Sequence, residues 1–113
     1  MLSLGPSHQY YLYRGPTDMR KGFDGLSGLV RTELGQDPLS GDVFIFVNRR
    51  RDRLKLLLWD RSGYVIWYKR LEAGRFELPL GEAKSYPISW DKLVMILEGI
   101  ALGSVQKRKR FSR

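Results

Sequence analysis

Five cations in seven residues, Arg49, Arg50, Arg51, Arg53 and Lys55, follow the most apolar run of the chain, and Asp52 is the single acid among them. Guanidinium groups match phosphate oxygens in charge and in paired geometry. Each contact releases condensed counterions, so such a cluster gives sequence-independent affinity for nucleic acid that falls steeply with salt. The competing reading is a solvated hairpin whose charges discourage edge pairing. Spacing alone leaves both open. Lys69, Arg70 and Arg75 would add charge nearby, and Lys107, Arg108, Lys109, Arg110 and Arg113 form a basic terminus that adheres to any polyanion or simply aids solubility.

Catalysis is the alternative use of such a chain, because acidic triads holding magnesium ions drive DNA strand transfer. There are seven Asp to consider, and local roles account for them. Asp18 stands at an expected helix start, Asp37 precedes Pro38, Asp42 follows Gly41, and Asp52 and Asp60 fall in hairpin turns. Asp24 follows Arg20 by one helical turn, an ion-pair spacing, and Asp91 suits the first turn of the last helix. Asp18, Asp24 and Asp60 are the least implausible ligands of a metal-dependent nuclease. No phosphate-binding glycine loop, nucleophile elbow or zinc-protease motif is present. With no Cys and His8 as the only His, thiol, iron–sulfur and zinc chemistry have no ligand set. The expectation is no metal, no cofactor and no catalysis.

A length of 113 residues suits one hydrophobic core without disulfides. The expected organisation is one domain over residues 1–103 and a disordered basic tail over 104–113. Net charge is +8, and the five tail cations leave the body at +3, so the excess speaks mainly about the tail. No apolar run reaches the ~18 residues of a membrane span, and the N-terminus lacks a signal pattern, which makes the cytoplasm the expected compartment.

The elements that must carry these residues follow from periodicity. Gln9-Tyr10-Tyr11-Leu12-Tyr13 is expected as a strand ended by Gly15-Pro16. Thr17 or Asp18 can cap a helix that places Met19, Phe23, Leu26, Val30 and Leu34 on one face, stopped by Gly35. Gly22, Gly25 and Gly28 line one edge of that helix and imply close approach, either of the protein's own sheet or of a partner. Val43-Phe44-Ile45-Phe46-Val47 looks buried on both faces, and strands over 54–59 and 64–71 follow through short antiparallel hairpins. A fourth meander strand over 75–78, stopped by Pro79, fits an edge. After a polar loop through Tyr86-Pro87, Ser89 can cap a second helix with Trp90, Leu93, Val94, Leu97 and Ile100 on one stripe, ended by Gly103. Three Trp and six Tyr could offer stacking faces for single strands, but Trp59, Trp67 and Trp90 lie in expected elements and are read as core.

The run Gly15-Pro16-Thr17-Asp18-Met19-Arg20-Lys21-Gly22-Phe23-Asp24-Gly25-Leu26 resembles the small accessory transposition protein, TnpB-type and encoded by the second open reading frame, of the insertion-sequence-66 family. Further blocks resemble it in the same order. They are Asp37-Pro38-Leu39-Ser40-Gly41, Phe44-Ile45-Phe46 with Arg49-Arg50, Trp59-Asp60, Lys69-Arg70-Leu71-Glu72-Ala73-Gly74-Arg75-Phe76, and Leu97-Glu98-Gly99-Ile100. The resemblance implies a bacterial protein needed for transposition beside a larger transposase that holds the acidic triad. It assigns no functional residues.

The expected fold is α+β: an antiparallel meander sheet of four to five strands with two helices packed on it. The expected function is a non-catalytic accessory factor in DNA recombination. Its first partner is DNA, held by Arg49, Arg50, Arg51, Arg53 and Lys55 with help from Lys69, Arg70, Arg75 and the tail. Its second is the element's transposase. In the rival reading, a pure adaptor, Arg20, Lys21, Gly22 and Gly25 dock on the transposase and DNA is never touched.

Overall fold

The structure, a computed structural model, describes residues 4–99. Five strands, β1 (Tyr10–Pro16), β2 (Val43–Val47), β3 (Arg53–Asp60), β4 (Gly63–Arg70) and β5 (Ser85–Ile88), form one sheet in the order β4-β3-β2-β1-β5. Helix α1 (Phe23–Thr32) lies between β1 and β2, and α2 (Trp90–Glu98) follows β5. The expected α+β class holds.

β2-β3 and β3-β4 are antiparallel hairpins, as expected from their short connections, but β1 and β2 run parallel. Parallel neighbours need a crossover, and α1 supplies it. The expected all-antiparallel meander therefore departs from the structure at this one pair, where α1 is the return path of a β-α-β unit.

Strand parity divides the core. Phe44, Phe46 and Leu57 face α1 and pack with Leu26 and Val30. Val43, Ile45, Val47, Leu54, Leu56 and Leu58 face the other way and pack with Leu93 and Ile96 of α2. A helix on each face explains why every residue of β2 is buried and why that strand is apolar throughout.

The last strand falls elsewhere than expected. Residues 75–78 form no strand, and β5 occupies the stretch read as a loop, pairing Tyr11 with Pro87 and Leu12 with Tyr86. The sheet order gives the reason, because the chain must travel from β4 at one edge to β5 at the other, about 19 Å at ordinary strand spacing. Residues 71–84 make that passage, and Phe76, 1% exposed, plugs the α2-side core on the way. Pro87 is tolerated because β5 has a neighbour on one side only among the described residues.

Both helices differ from expectation at one end. α1 begins at Phe23, with Gly22 in the cap position and no capping side chain, so neither Thr17 nor Asp18 caps it. α2 starts as expected, with the Ser89 hydroxyl accepting from the Lys92 amide at 3.2 Å, but ends at Gly99 in a left-handed conformation rather than at Gly103. Ile100, Gly103 and the whole basic tail lie outside the described residues.

Candidate nucleic-acid interface

The turn joining β2 to β3 carries the arginine cluster on the loop between the two strands most fully buried in the sheet. It is built around Asn48. The Arg51 amide donates to the Asn48 carbonyl at 3.0 Å, and the Asn48 amide donates to the Arg53 carbonyl at 3.1 Å. Asn48 Oδ1 accepts from the amides of Asp52 and Arg53, each at 3.0 Å, while Nδ2 donates to Asp52 Oδ1 at 2.7 Å. Arg51 closes the turn in the left-handed region, φ 61°, where glycine is at home and an arginine is strained by about 1 kcal/mol.

The crossing segment braces the turn from outside. The Phe76 amide donates to the Arg51 carbonyl at 2.7 Å and the Leu71 amide to the Asp52 carbonyl at 2.8 Å. With its backbone tied on both sides, the turn presents Arg49, Arg50 and Arg51 to solvent from a fixed frame. None of the three forms an ion pair with a carboxylate among the described residues. The nearby acid is itself committed, since the Asn48 amide, followed by the charges of Arg50 and Arg53, holds the Asp52 carboxyl below the usual carboxylate range.

The arginines do not all line one groove. Arg50 and Arg53 flank a groove of about 470 Å³ facing Thr17, Asp18 and Met19, whereas Arg51 faces a smaller one of about 180 Å³ beside Arg14 and Leu78. Arg49 borders both. The turn is thus a cationic ridge with a channel on either flank. Arg14 walls the smaller channel by donating to the carbonyls of Pro79, at 2.5 Å, and Leu80, at 2.9 Å, with its guanidinium 4.3 Å from the Tyr86 ring.

Two cations leave the expected phosphate-binding set. Lys55 is only 8% exposed, and its ammonium turns inward to donate to the carbonyls of Met19, at 2.7 Å, and Lys21, at 2.9 Å. Parity causes this, because residues 53, 55 and 57 share the α1 face and the loop before α1 closes over Lys55. Lys69, on the opposite face, donates to the Leu97 carbonyl at 3.2 Å at the end of α2, a helix-terminus role. Arg53 and Arg70 stay together, opposite one another across β3 and β4, and Arg75 is exposed next to Phe76. Lys107, Arg108, Lys109 and Arg110 lie outside the described residues.

The loop proposed to meet a protein partner is exposed at Arg20, Lys21 and Gly22. Arg20 pairs with Asp18 at 2.7 Å rather than with Asp24, because α1 begins at Phe23 and leaves Arg20 outside the helical spacing to Asp24, and this contact holds the Asp18 carboxyl down at about 2. Close packing of the glycine edge on the sheet is not found. A side chain at Gly22 or Gly28 would meet open space, and one at Gly25 would meet only the Lys21 stem. Among the described residues no three of His, Cys, Asp and Glu gather as metal ligands, and Asp18, Asp24 and Asp60 are not brought together.

Sequence reasoning missed three residues of this region. Asn48 had a signal, an Asx side chain at the mouth of a hairpin. Arg14 had none, since its carbonyl partners are 65 and 66 residues away. Tyr68 lies in register with Lys55, and its exposure depends on where α1 stops covering the sheet.

Asn48→Ala is expected to lower stability by about 1–2 kcal/mol, through two turn amides left without their acceptor, as read by urea unfolding at neutral pH. Part of that gap is pH-dependent. A carboxyl whose folded pKa is depressed contributes fully above its unfolded value of about 3.9 and loses the contribution as pH falls through the lower, folded value. The difference between wild type and Asn48→Ala should therefore be constant from pH 7 to 5 and shrink in acid. A gap that widens in acid would contradict the Asn48–Asp52 contact.

Comparison with known proteins agrees with the block pattern of the sequence. A family model described as "IS66 Orf2 like protein" matches residues 8–107. Two Sinorhizobium fredii proteins are similar along nearly their whole length, and both carry names stating that they are uncharacterized. Protein y4jC is 33% identical over 107 residues, 93% of this chain and 92% of its own, and y4hO is 37% identical over 100 residues, 88% and 87% respectively. No solved structure matches.

Proposed function

This chain belongs to the IS66 Orf2-like family, and from that premise we propose that it is a non-catalytic accessory factor in transposition that grips DNA phosphates with the β2–β3 turn. One observation carries the reading: Arg49, Arg50 and Arg51 stand exposed, with no carboxylate partner among the described residues, on a turn whose backbone is tied from both sides. A backbone already fixed has little freedom left to lose when its guanidiniums meet phosphate. The strained Arg51 supports this, since glycine would close the same turn at lower cost without the charge. The element's transposase, which performs the chemistry, is the second partner.

Salt titration tests the grip. If Arg49, Arg50, Arg51 and Arg53 each neutralise one phosphate, they contribute a slope of about −3.6 to log affinity against log salt for duplex DNA. The variant Arg49→Ala/Arg50→Ala/Arg51→Gly should flatten the measured slope by about 2.7. Glycine at 51 keeps the turn relaxed, so the loss reports charge and not misfolding. Removal of residues 104–113 runs in parallel. A slope that depends on the tail alone favours the adaptor reading, which the exposed loop at Arg20, Lys21 and Phe23 and the uncovered Gly22 and Gly28 support.

A further inference from the structure

Along β4, the residues facing α1 grow more exposed toward the strand's end: Tyr64 and Ile66 are half-buried, while Tyr68 and Arg70 are exposed. The cover accounts for the gradient. Phe23 at the start of α1 stacks over Tyr64 with ring centroids 6.5 Å apart, and the loop before α1 closes over Lys55, while Tyr68 lies four residues further along β4 than Tyr64. Tyr68 therefore keeps 47% of its surface open, one of the few large apolar side chains among the described residues to do so.

Its surroundings hold the ring in place. Lys55 Nζ lies 4.7 Å from the ring centroid, and Arg53 donates to the phenol oxygen at 3.3 Å. Arg70 stands directly opposite Arg53 across the strand pair. Together with Glu72, these side chains line a groove of about 370 Å³. An aromatic face flanked by two guanidiniums is the arrangement that accepts a base and its phosphate, since every base can stack on an aromatic ring and cations follow the backbone. Duplex DNA cannot use the ring, because its bases are stacked on one another. Glu72 is the one unfavourable group among the described residues lining the groove, and it binds Arg70 through its Oε2, 3.2 Å from both Nε and NH2. Both partners of that pair are 60% exposed, so a phosphate can displace the carboxylate at small cost.

We propose that Tyr68, Arg53 and Arg70 form a site for an unpaired nucleotide of single-stranded DNA, the base lying on the Tyr68 ring and its phosphate between the two guanidiniums. The site rests on the nucleic-acid reading above and extends it. The ridge holds duplex phosphates, the neighbouring sheet face holds a strand that has been opened, and Arg53 borders both surfaces.

The test compares full-length protein and variants on an oligothymidylate and on duplex DNA of equal length at fixed salt. Tyr68→Ala should weaken single-strand binding about 5-fold to 100-fold and leave duplex binding unchanged. Tyr68→Phe, which keeps the ring, should retain most of the affinity. Glu72→Gln should tighten single-strand binding by up to about 5-fold, a gain that a folding defect cannot imitate. Irradiation of an oligonucleotide carrying 5-iododeoxyuridine should crosslink to Tyr68. Equal effects of Tyr68→Ala on both DNAs, or crosslinks that map only elsewhere, overturn the site. The Arg49→Ala/Arg50→Ala/Arg51→Gly variant in the same assay separates the two readings. Duplex binding lost there with no single-strand selectivity at Tyr68 rejects the nucleotide site alone. Selective single-strand loss at Tyr68 with duplex binding intact in the turn variant rejects the ridge alone.

Discussion

Lys55→Met is expected to destabilise the protein by about 2–4 kcal/mol while leaving the salt dependence of DNA binding unchanged. The ammonium makes two charge-assisted hydrogen bonds, to the carbonyls of Met19 and Lys21, from a side chain that is 8% exposed. Such bonds contribute about 1.5–3 kcal/mol each, and methionine recovers part of the loss by filling the same space with apolar atoms. Both carbonyls are then left without that donor. Urea unfolding gives the stability, and hydrogen exchange should show faster opening of residues 17–24 than of the sheet. The pair of measurements is decisive, because a phosphate-binding lysine would give the reverse: stability kept and salt slope reduced.

Phe46→Ala should have the larger effect, about 3–5 kcal/mol by urea or thermal unfolding. Phe46 is 0% exposed on the α1 side of the central strand, stands opposite Lys55 in the β2–β3 register, and has the Tyr13 ring 6.1 Å away. It also lies two residues before Asn48, so a cavity there loosens the base of the arginine turn. Total stability of a domain this size is about 5–15 kcal/mol, and the variant will be partly unfolded at modest temperature. Phe46→Leu, which keeps most of the volume, should lose less than half as much. Equal losses in the two variants would mean that this position is not close-packed.

The same residues show what could be read in advance. β2 was legible because five consecutive apolar residues sit between turn formers, and the hairpins followed from loops too short for a crossover. Ser89 identified the start of α2 by its chemistry. Partners distant in sequence decided the rest. Thr17 and Asp18 have the composition of helix caps, yet Lys55 draws the carbonyls of residues 19 and 21 onto itself and α1 starts later. Tyr86-Pro87 reads as a turn by local preference and becomes a strand because β1 offers an open edge. In the site, the arginine turn was visible as a charge cluster. The inward course of Lys55, the end-capping role of Lys69 and the division of the arginines between two channels each depend on which face of the sheet is covered, and by what.

The ridge grows from β2 and β3, the two strands enclosed by helices on both sides and braced at their tip by the amides of Leu71 and Phe76. A scaffold anchored so deeply cannot flex to follow a ligand without giving up the core, so in the proposed DNA contact any adjustment falls to the nucleic acid. Sequences that kink or unwind easily, such as pyrimidine–purine steps, would conform at the least elastic cost. On the proposed reading, arginines that hold phosphates alone would still favour some ends over others, through the compliance of the double helix.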